Sequence, residues 1–286
     1  MLQKIKLWWN IIRPYSLFAS ACPVLVGLLV ANITSFLTAF ITLFCAICLQ
    51  VLSNLVNDYY DFERGTDDDR TGSPRLLAEG LVTAKQMLHA IYVTVFLCVL
   101  LGAYLVLVGG WVILIVGVLA LLFAWLYTAT DYSLAYLGLG DIFVFLFYGV
   151  IAGCGTAYLQ THDVDTLWQA FYAGGVNGLI SMCLLAINNI RDRENDAKFN
   201  KRTFAVRFGH KMAVFGMFVV VLLQPIFAYL AFGWSVVLLI FIPSIVLFMT
   251  VFRTTEAGVY NRCMLWTGFT NVFYVLLVAI EKFCFL

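Results

Sequence analysis

Residues 54–80 read NLVNDYYDFERGTDDDRTGSPRLLAEG, and six acidic residues fall within the twelve positions from Asp58 to Asp69. Only 12% of the chain is charged, so this density is far above the background. A second polar stretch, NNIRDRENDAKFNKRTFAVRFG, occupies positions 188–209. We call the two stretches the first and second polar segments. Each follows a long apolar run, and together they are the candidate reaction centre.

The rest of the chain is strongly apolar. Hydrophobic residues make up 63% of it and its mean hydropathy is +0.95, whereas soluble domains contain roughly 45–50% apolar residues. The apolar runs reach the length of about 20 residues that a membrane-spanning helix needs. A transmembrane barrel would instead show alternating segments of about 10 residues. The sequence therefore predicts an all-α, polytopic membrane protein in the lipid bilayer. The net charge of +1 gives no reason to expect nucleic acid binding.

The hydropathy pattern predicts nine transmembrane helices in one domain covering residues 1–286. The predicted spans are 14–32, 35–56, 86–108, 110–127, 139–160, 167–189, 212–231, 233–252 and 264–284. With the N-terminus in the cytoplasm, 16 of the 17 basic residues lie in cytoplasmic segments, and only Lys282 lies outside. Retention of positive charge on the cytoplasmic side is the usual pattern in membrane proteins. We therefore expect the helix bundle to lie in the cytoplasmic membrane and both polar segments to face the cytoplasm.

The polar segments share a spacing of four residues. Asn57 and Asp61 close the second span, Asn188 and Asp192 close the sixth, and Asp196 follows four residues later. This spacing places side chains on one face of a helix. Ionisable groups at the ends of apolar helices are costly and usually functional. Two alternatives stay open: Asn188 could serve as a hydrogen-bonding residue of the helix end, and the run from Asp67 to Asp69 could be a solvated turn.

Carboxylates that lie close together repel one another unless a cation lies between them. Mg²⁺ is typically bound through one or two carboxylates together with substrate phosphates. Guanidinium and ammonium groups bind phosphate oxygens, and both polar segments contain them: Arg64, Arg70, Arg75, Lys198, Lys201, Arg202 and Arg207. This combination at the mouth of an apolar bundle suits a lipid diphosphate, with its head at the polar rim and its chain among the helices.

Four stretches, in this order, carry a resemblance to a known family. They are IRPYSLFASACPVLVG at 12–27, the first polar segment, YTATDYSLAYLGLGDIFVFLFYGVIAGCGTAYLQ at 127–160, and the second polar segment. The sequence resembles the UbiA superfamily of intramembrane aromatic prenyltransferases over most of its length. The resemblance implies a nine-helix bundle with a central cavity, dependence on Mg²⁺, a polyprenyl diphosphate donor and a bicyclic aromatic acceptor.

The resemblance also implies roles for individual residues. Asn57, Asp61, Asp192 and Asp196 would hold two Mg²⁺ ions that bridge the diphosphate. The leaving group would be neutralised by Arg75, Lys201 and Arg202, with Arg64, Arg70 and Asn188 as further substrate contacts. The family pattern has a third acid in its first motif where this chain has Gly65. Asp67 and Asp68 are the alternatives that could replace that ligand.

The loop after the fourth predicted span bears on the acceptor. Ubiquinone-type relatives carry a lysine shortly after a tyrosine there, whereas this chain reads Tyr127-Thr128-Ala129-Thr130-Asp131. This favours the naphthoate branch of the family and leaves a phosphate-binding role of Tyr127 open. The implied acceptor is 1,4-dihydroxy-2-naphthoate, prenylated with loss of CO₂ and diphosphate as in menaquinone synthesis. Homogentisate and 4-hydroxybenzoate are alternative acceptors that suit the same carboxylate chemistry.

The expected chemistry is ionisation of the donor followed by electrophilic aromatic substitution. An apolar bundle would shield the allylic cation from water, and aromatic faces could stabilise it. Asp141, at the start of the fifth span, is either an acid–base group for the acceptor or a helix-start acid favoured by the helix dipole. The aromatic candidates on the fifth span are Phe143, Phe145, Phe147, Tyr148 and Tyr158.

Two other classes of protein fit a bundle of this kind. A secondary transporter also has polar residues in broken helices, but its ion sites lie near the membrane midplane. Here the charges cluster at one face. A non-catalytic lipid-binding protein would keep the bundle without needing metal-binding carboxylates. The clustering favours the enzyme.

Overall fold

The structure is a computed structural model that describes residues 8, 12–65, 77, 79–126 and 138–285. The regular elements of these residues are all helical. In chain order they are α1 Pro14–Ala31, α2 Phe36–Glu63, α3 Ala84–Leu126, α4 Gly140–Gln160, α5 Val164–Arg191, α6 Arg193–Lys198, α7 Phe204–Phe232, α8 Val236–Phe252 and α9 Ala257–Phe285. A π-helical turn, Leu146–Val150, interrupts α4. The predicted all-α class is confirmed.

Six of the described helices, α2 to α5, α7 and α9, are long and apolar enough to cross a membrane. Two shorter apolar stretches, Ser16–Ala31 and Val236–Phe252, accompany them. Large apolar side chains such as Phe36 and Trp234, exposed by 80% and 88%, lie on the outside of the bundle. The chain is therefore an integral membrane protein. The count of nine spans stays a prediction.

Helix α3 contains two of the predicted spans. Its 43 residues would extend about 65 Å, roughly twice the thickness of the hydrocarbon core. Gly110 has φ 65° and ψ −153°, which breaks the helical conformation. Cys98 and Ala124 meet in one apolar cluster, and Leu105 and Ile113 meet in another. The two halves therefore lie antiparallel, as predicted for 86–108 and 110–127.

Helices α4 and α5 cross in close backbone contact. A Cβ atom added to Gly149 would lie 2.6 Å from the Cα atom of Gly178, and one added to Gly153 would lie 3.0 Å from the Cα atom of Gly174. Small residues at such a crossing let membrane helices pack tightly. The pairing is antiparallel, so the first turn of α4 lies at the same end of the bundle as the last turn of α5.

A polar seam fixes α1 against α2. The Nδ2 atom of Asn54 donates hydrogen bonds to the carbonyl oxygen of Ile12 (2.8 Å) and to Oγ of Ser16 (2.9 Å). Gln50 donates to Oδ1 of Asn54 at 3.1 Å. Amide side chains inside a membrane bundle are stabilised by partners of this kind. The seam holds the beginning of α1 beside the end of α2, where the first polar segment begins.

Candidate active site

A polar cavity of about 180 Å³ lies at this end of the bundle. The ends of α1, α2, α4 and α5 and the segment before α7 form its wall. Its polar and charged lining residues are Arg13, Ser16, Gln50, Ser53, Asn54, Asn57, Asp141, Tyr148, Ser181, Asn188, Asn189, Arg191, Lys201 and Thr203. Side chains from both polar segments therefore meet at one cavity, as the sequence predicts.

An apolar chamber of about 650 Å³ adjoins the polar cavity. Its walls come from α1, α2, both halves of α3, and α4. Gln50, Ser53, Phe123 and Tyr148 line both spaces. The two spaces thus meet at a shared rim, polar on one side and apolar on the other.

The first polar segment contributes the last turns of α2. The helix continues to Glu63, so Asn57 and Asp61 lie one turn apart on one face. Asn57 lines the polar cavity, and Asp61 is buried with 2% of its surface exposed. Asp58 is also buried, and its Oδ1 atom lies 3.9 Å from Nη2 of Arg13. Arg13 is not among the site residues predicted from the sequence.

The second polar segment contributes the end of α5 and the short helix α6. Arg191 binds both carboxylate oxygens of Asp192, at 2.7 Å each. The Nζ atom of Lys201 lies 3.5 Å from Oδ1 of Asp196. Both aspartates are buried, with 3% and 4% of their surface exposed. A buried carboxylate needs a partner to remain ionised, and a basic residue of the same segment supplies one for each.

The predicted site residues occupy different positions around the polar cavity. Asn57, Asp141, Asn188 and Lys201 line it. Asp61 and Asp192 lie one helical turn beyond Asn57 and Asn188. These two aspartates and Asp196 are buried and are not among the residues that line the cavity. Within the described part of the chain, Arg64 and Arg202 do not line the cavity, and Arg202 is exposed. Five further predicted residues lie outside the described residues: Asp67, Asp68, Arg70, Arg75 and Tyr127.

The chemistry of these donors fits Mg²⁺. Asn57, Asp61, Asp192 and Asp196 offer only hard oxygen ligands, and Mg²⁺ is held by few protein ligands together with water and phosphate oxygens. Among residues 12–65, 79–126 and 138–285, no group of three or more His, Cys, Asp or Glu side chains is placed to hold a metal by itself. The donor set is therefore suited to an ion that is shared with a phosphate-bearing substrate.

The aromatic residues of α4 divide into two groups. Phe147 stacks on Phe123 of α3 with ring centroids 4.6 Å apart, and Phe147 and Tyr148 line the apolar chamber. Phe145 packs edge-on against Phe227 of α7, at 5.8 Å, and Tyr158 packs against His162. Neither of these two lines the polar cavity or the apolar chamber. The hypothesis that these two rings face the allylic cation is therefore not supported: Phe145 is turned towards α7, and Tyr158 lies in the last turn of α4. Phe143 also stacks on Phe123, at 5.2 Å, and lines neither space.

Several residues of this cavity were not predicted from the sequence, among them Arg13, Phe123 and Arg191. Arg191 directly precedes Asp192, which is a signal in the sequence. Its contact with Asn261 of α9, at 2.6 Å, joins residues seventy positions apart. No local pattern indicates such a contact.

Comparison with known proteins identifies the family of the chain. The profile of the UbiA prenyltransferase family matches residues 20–276. The 1,4-dihydroxy-2-naphthoate octaprenyltransferase of Haemophilus influenzae is 35% identical over 219 residues, which cover 72% of this chain and 70% of the relative. The enzyme of the same name from Mycobacterium tuberculosis is 36% identical over 201 residues, covering 69% of this chain and 68% of the relative.

Solved structures share the fold. A UbiA homologue from Aeropyrum pernix K1 superposes with a TM-score of 0.73 at 13% identity, covering 92% of this chain and 97% of that one. A UbiA homologue from Archaeoglobus fulgidus, solved with GPP and Mg²⁺, gives a TM-score of 0.67 at 15% identity, covering 95% and 99%. With the family profile matched over most of the sequence and the bundle shared, the chain belongs to the UbiA prenyltransferase family.

Proposed function

We propose that this protein transfers a polyprenyl group from polyprenyl diphosphate to 1,4-dihydroxy-2-naphthoate. The reaction releases CO₂ and diphosphate and gives demethylmenaquinol, a step of menaquinone biosynthesis. The relatives of that name, at 35% and 36% identity, support the choice of acceptor. The observation that carries the proposal is the polar cavity that adjoins the apolar chamber, because a prenyl diphosphate has a charged head and an apolar tail.

The donor fits this arrangement in one orientation. Its diphosphate lies in the polar cavity, near the side chains of Arg13 and Lys201. Its tail enters the apolar chamber past the shared rim. Charge-assisted hydrogen bonds from the basic residues hold the phosphate oxygens, and burial of the tail contributes about 0.8 kcal/mol for each methylene.

The protein promotes ionisation by stabilising the charge that develops. Asn57, Asp61, Asp192 and Asp196 would hold Mg²⁺, which when bound would supply positive charge to the departing diphosphate. Lys201 adds a fixed positive charge at the same cavity. The carbon–oxygen bond breaks and leaves an allylic cation at the shared rim. The apolar walls exclude water, and the faces of Phe123 and Tyr148 stabilise the cation.

The acceptor binds on the polar side of the rim, where Asp141 lies. The ring carbon that carries the carboxylate forms a bond to the allylic carbon. The bond from that ring carbon to the carboxylate then breaks, CO₂ leaves, and the electron pair restores the aromatic ring. Asp141 contacts the acceptor hydroxyl groups in this arrangement, and it is a substrate-binding residue in the proposal.

The remaining expectations belong to the same proposal. The chain is predicted to act as one domain in the cytoplasmic membrane, with its N-terminus and both polar segments on the cytoplasmic side. The basic residues predicted to complete the diphosphate site are Arg64, Arg70, Arg75 and Arg202. Asp67 or Asp68 is predicted to supply the further acidic ligand, and Tyr127 is predicted to be a substrate-binding residue; all three lie outside the described residues.

The test is a product assay with purified protein. The protein is incubated with Mg²⁺, one polyprenyl diphosphate, and in turn 1,4-dihydroxy-2-naphthoate, homogentisate and 4-hydroxybenzoate, and products are read by mass. We expect product from the naphthoate. Product from 4-hydroxybenzoate alone would refute the acceptor, and no product from any acceptor would favour the transporter or the lipid-binding protein.

Variants of two aspartates test whether they act as metal ligands in the reaction. Asp61→Asn and Asp192→Asn are each expected to lower turnover by roughly 100-fold or more, because each removes a ligand whose charge stabilises the transition state. The matched control is Asp165→Asn, which changes an exposed carboxylate in the first turn of α5. Thermal unfolding in detergent verifies that the variants fold. Full activity of both site variants would contradict the assignment.

A further inference from the structure

Arg191 is fully engaged inside the bundle. Only 4% of its side chain is exposed. Its Nε and Nη2 atoms each donate to one carboxylate oxygen of Asp192, at 2.7 Å. Nη2 also donates to Oδ1 of Asn188 (2.9 Å), and Nη1 donates to Oδ1 of Asn261 (2.6 Å). Every nitrogen of the guanidinium group thus has an acceptor, and Asn261 holds the group from α9.

This geometry has two electrostatic consequences for Asp192. The parallel pair of hydrogen bonds is the strongest arrangement between a guanidinium and a carboxylate, so Asp192 stays ionised and fixed in orientation although it is buried. The two bonds also occupy one acceptor site on each oxygen, and the positive charge repels any second cation that approaches the remaining sites. Arg191 therefore keeps Asp192 ionised and oriented as a potential metal ligand, and it also weakens the attraction of Asp192 for a metal ion.

The placement of Arg191 separates it from an ordinary structural ion pair. Arg191 lines the polar cavity together with Asn57 and Asn188. Its neighbour Arg193 instead pairs with the exposed Glu194, at 3.6 Å, and is itself 36% exposed. Two arginines of the same segment thus differ in burial, and of the two Arg191 alone lines the polar cavity, which provides a matched comparison.

We propose that Arg191, held by Asn261, is a positioning residue that serves as the built-in counter-cation of Asp192 and lowers its affinity for a divalent ion. The proposal rests on the role of Asp192 as a metal ligand in the proposed function. A divalent ion then binds firmly only when the oxygens of a diphosphate add to the ligand set, which is the way Mg²⁺ is usually held. Lys201 also places a positive charge beside an aspartate, but the distance from its Nζ atom to Oδ1 of Asp196 is longer, at 3.5 Å.

The experiment measures Mn²⁺ binding by electron paramagnetic resonance on the purified full chain without substrate. Asn261→Asp places a second carboxylate against Nη1 of Arg191, where it competes with Asp192 for the guanidinium. We expect the dissociation constant for Mn²⁺ to fall by about tenfold, because the charge that opposes the ion is neutralised. Arg191→Met is expected to act in the same direction, and Arg193→Met is expected to leave Mn²⁺ binding unchanged.

A double variant excludes the simplest alternative, that the new carboxylate itself binds Mn²⁺. Asn261→Asp combined with Asp192→Asn is expected to bind no more tightly than Asp192→Asn alone. Because Arg191→Met removes the guanidinium group that pairs with a buried carboxylate and is destabilising, the Asn261→Asp variant carries the test if Arg191→Met does not fold. Unchanged Mn²⁺ affinity in Asn261→Asp would overturn the proposal.

Inorganic pyrophosphate provides a second readout. Adding it is expected to tighten Mn²⁺ binding to the wild-type protein and to reduce the difference between wild type and Asn261→Asp. An equal difference with and without pyrophosphate would contradict the role assigned to Arg191. Turnover of the wild-type protein with the naphthoate tests the proposed function separately, since the Mn²⁺ measurement uses neither donor nor acceptor.

Discussion

Gly155 offers a direct test of where the prenyl tail lies. It is part of α4 and lines the apolar chamber, and a Cβ atom added to it meets no atom within 4 Å. It follows Asp141 by fourteen residues, or about 20 Å along a helix. A side chain at this position therefore enters the far part of the chamber, which only the later isoprene units of a long donor reach.

The substitution Gly155→Leu adds four carbons to the chamber and displaces a similar number of tail carbons. At about 0.8 kcal/mol for each buried carbon, the loss is about 3 kcal/mol. That free energy corresponds to an increase of roughly 100-fold in KM for a long donor. A two-unit donor leaves the far part of the chamber empty, so we expect its KM to be unchanged.

The assay compares KM and kcat for octaprenyl and geranyl diphosphate at a saturating concentration of acceptor. Gly258→Leu is the control, because Gly258 also has no atom within 4 Å of an added Cβ, and it lines neither the polar cavity nor the apolar chamber. Equal changes for both donors in Gly155→Leu, or an unchanged KM for the long donor, would refute the placement of the tail.

Two predictions concern the bundle itself. Gly149→Ala forces the backbones of α4 and α5 apart, because its Cβ would lie 2.6 Å from Cα of Gly178. We expect the free energy of unfolding to fall by about 1–3 kcal/mol, measured as a lower thermal midpoint, whereas Gly258→Ala should leave the midpoint unchanged. An unchanged midpoint in Gly149→Ala would contradict the close crossing of the two helices. Asp163 accepts hydrogen bonds from the backbone N (2.8 Å) and Oγ1 (2.7 Å) of Thr166 at the start of α5, and these bonds hold the pKa of its carboxyl below its usual value. The stabilisation by these hydrogen bonds is present above the ordinary carboxyl pKa and is lost as the pH falls through the lowered pKa. Asp163→Ala should therefore lower the thermal midpoint at pH 7 and reduce the decline of the midpoint in acid. Asp163→Asn should retain most of the helix cap at pH 7. Identical acid profiles for wild type and Asp163→Ala would show that the cap does not contribute.

Hydropathy located the membrane segments better than the ends of the helices. The second span was predicted to end at position 56, but α2 continues to Glu63. The last span was predicted to begin at 264, but α9 begins at Ala257. A helix satisfies its own backbone hydrogen bonds in water as well as in lipid, so it does not need to end where the apolar run ends. In both cases the extension carries a residue of the site, Asp61 or Asn261.

Four stretches of the sequence indicated the family by their resemblance to known proteins. The sequence by itself also determined the helical class, the membrane location and the two polar segments. These follow from composition and local spacing, because a backbone in lipid must form helices and spacing of four residues aligns side chains on one face. Only the tertiary structure decided that Arg191 is held by Asn261, that Phe145 faces away from the chamber, and that the polar cavity adjoins an apolar one. These contacts depend on how each helix is rotated against its neighbours, which is set by close packing such as that of Gly149 on Gly178 and not by the order of residues along one helix.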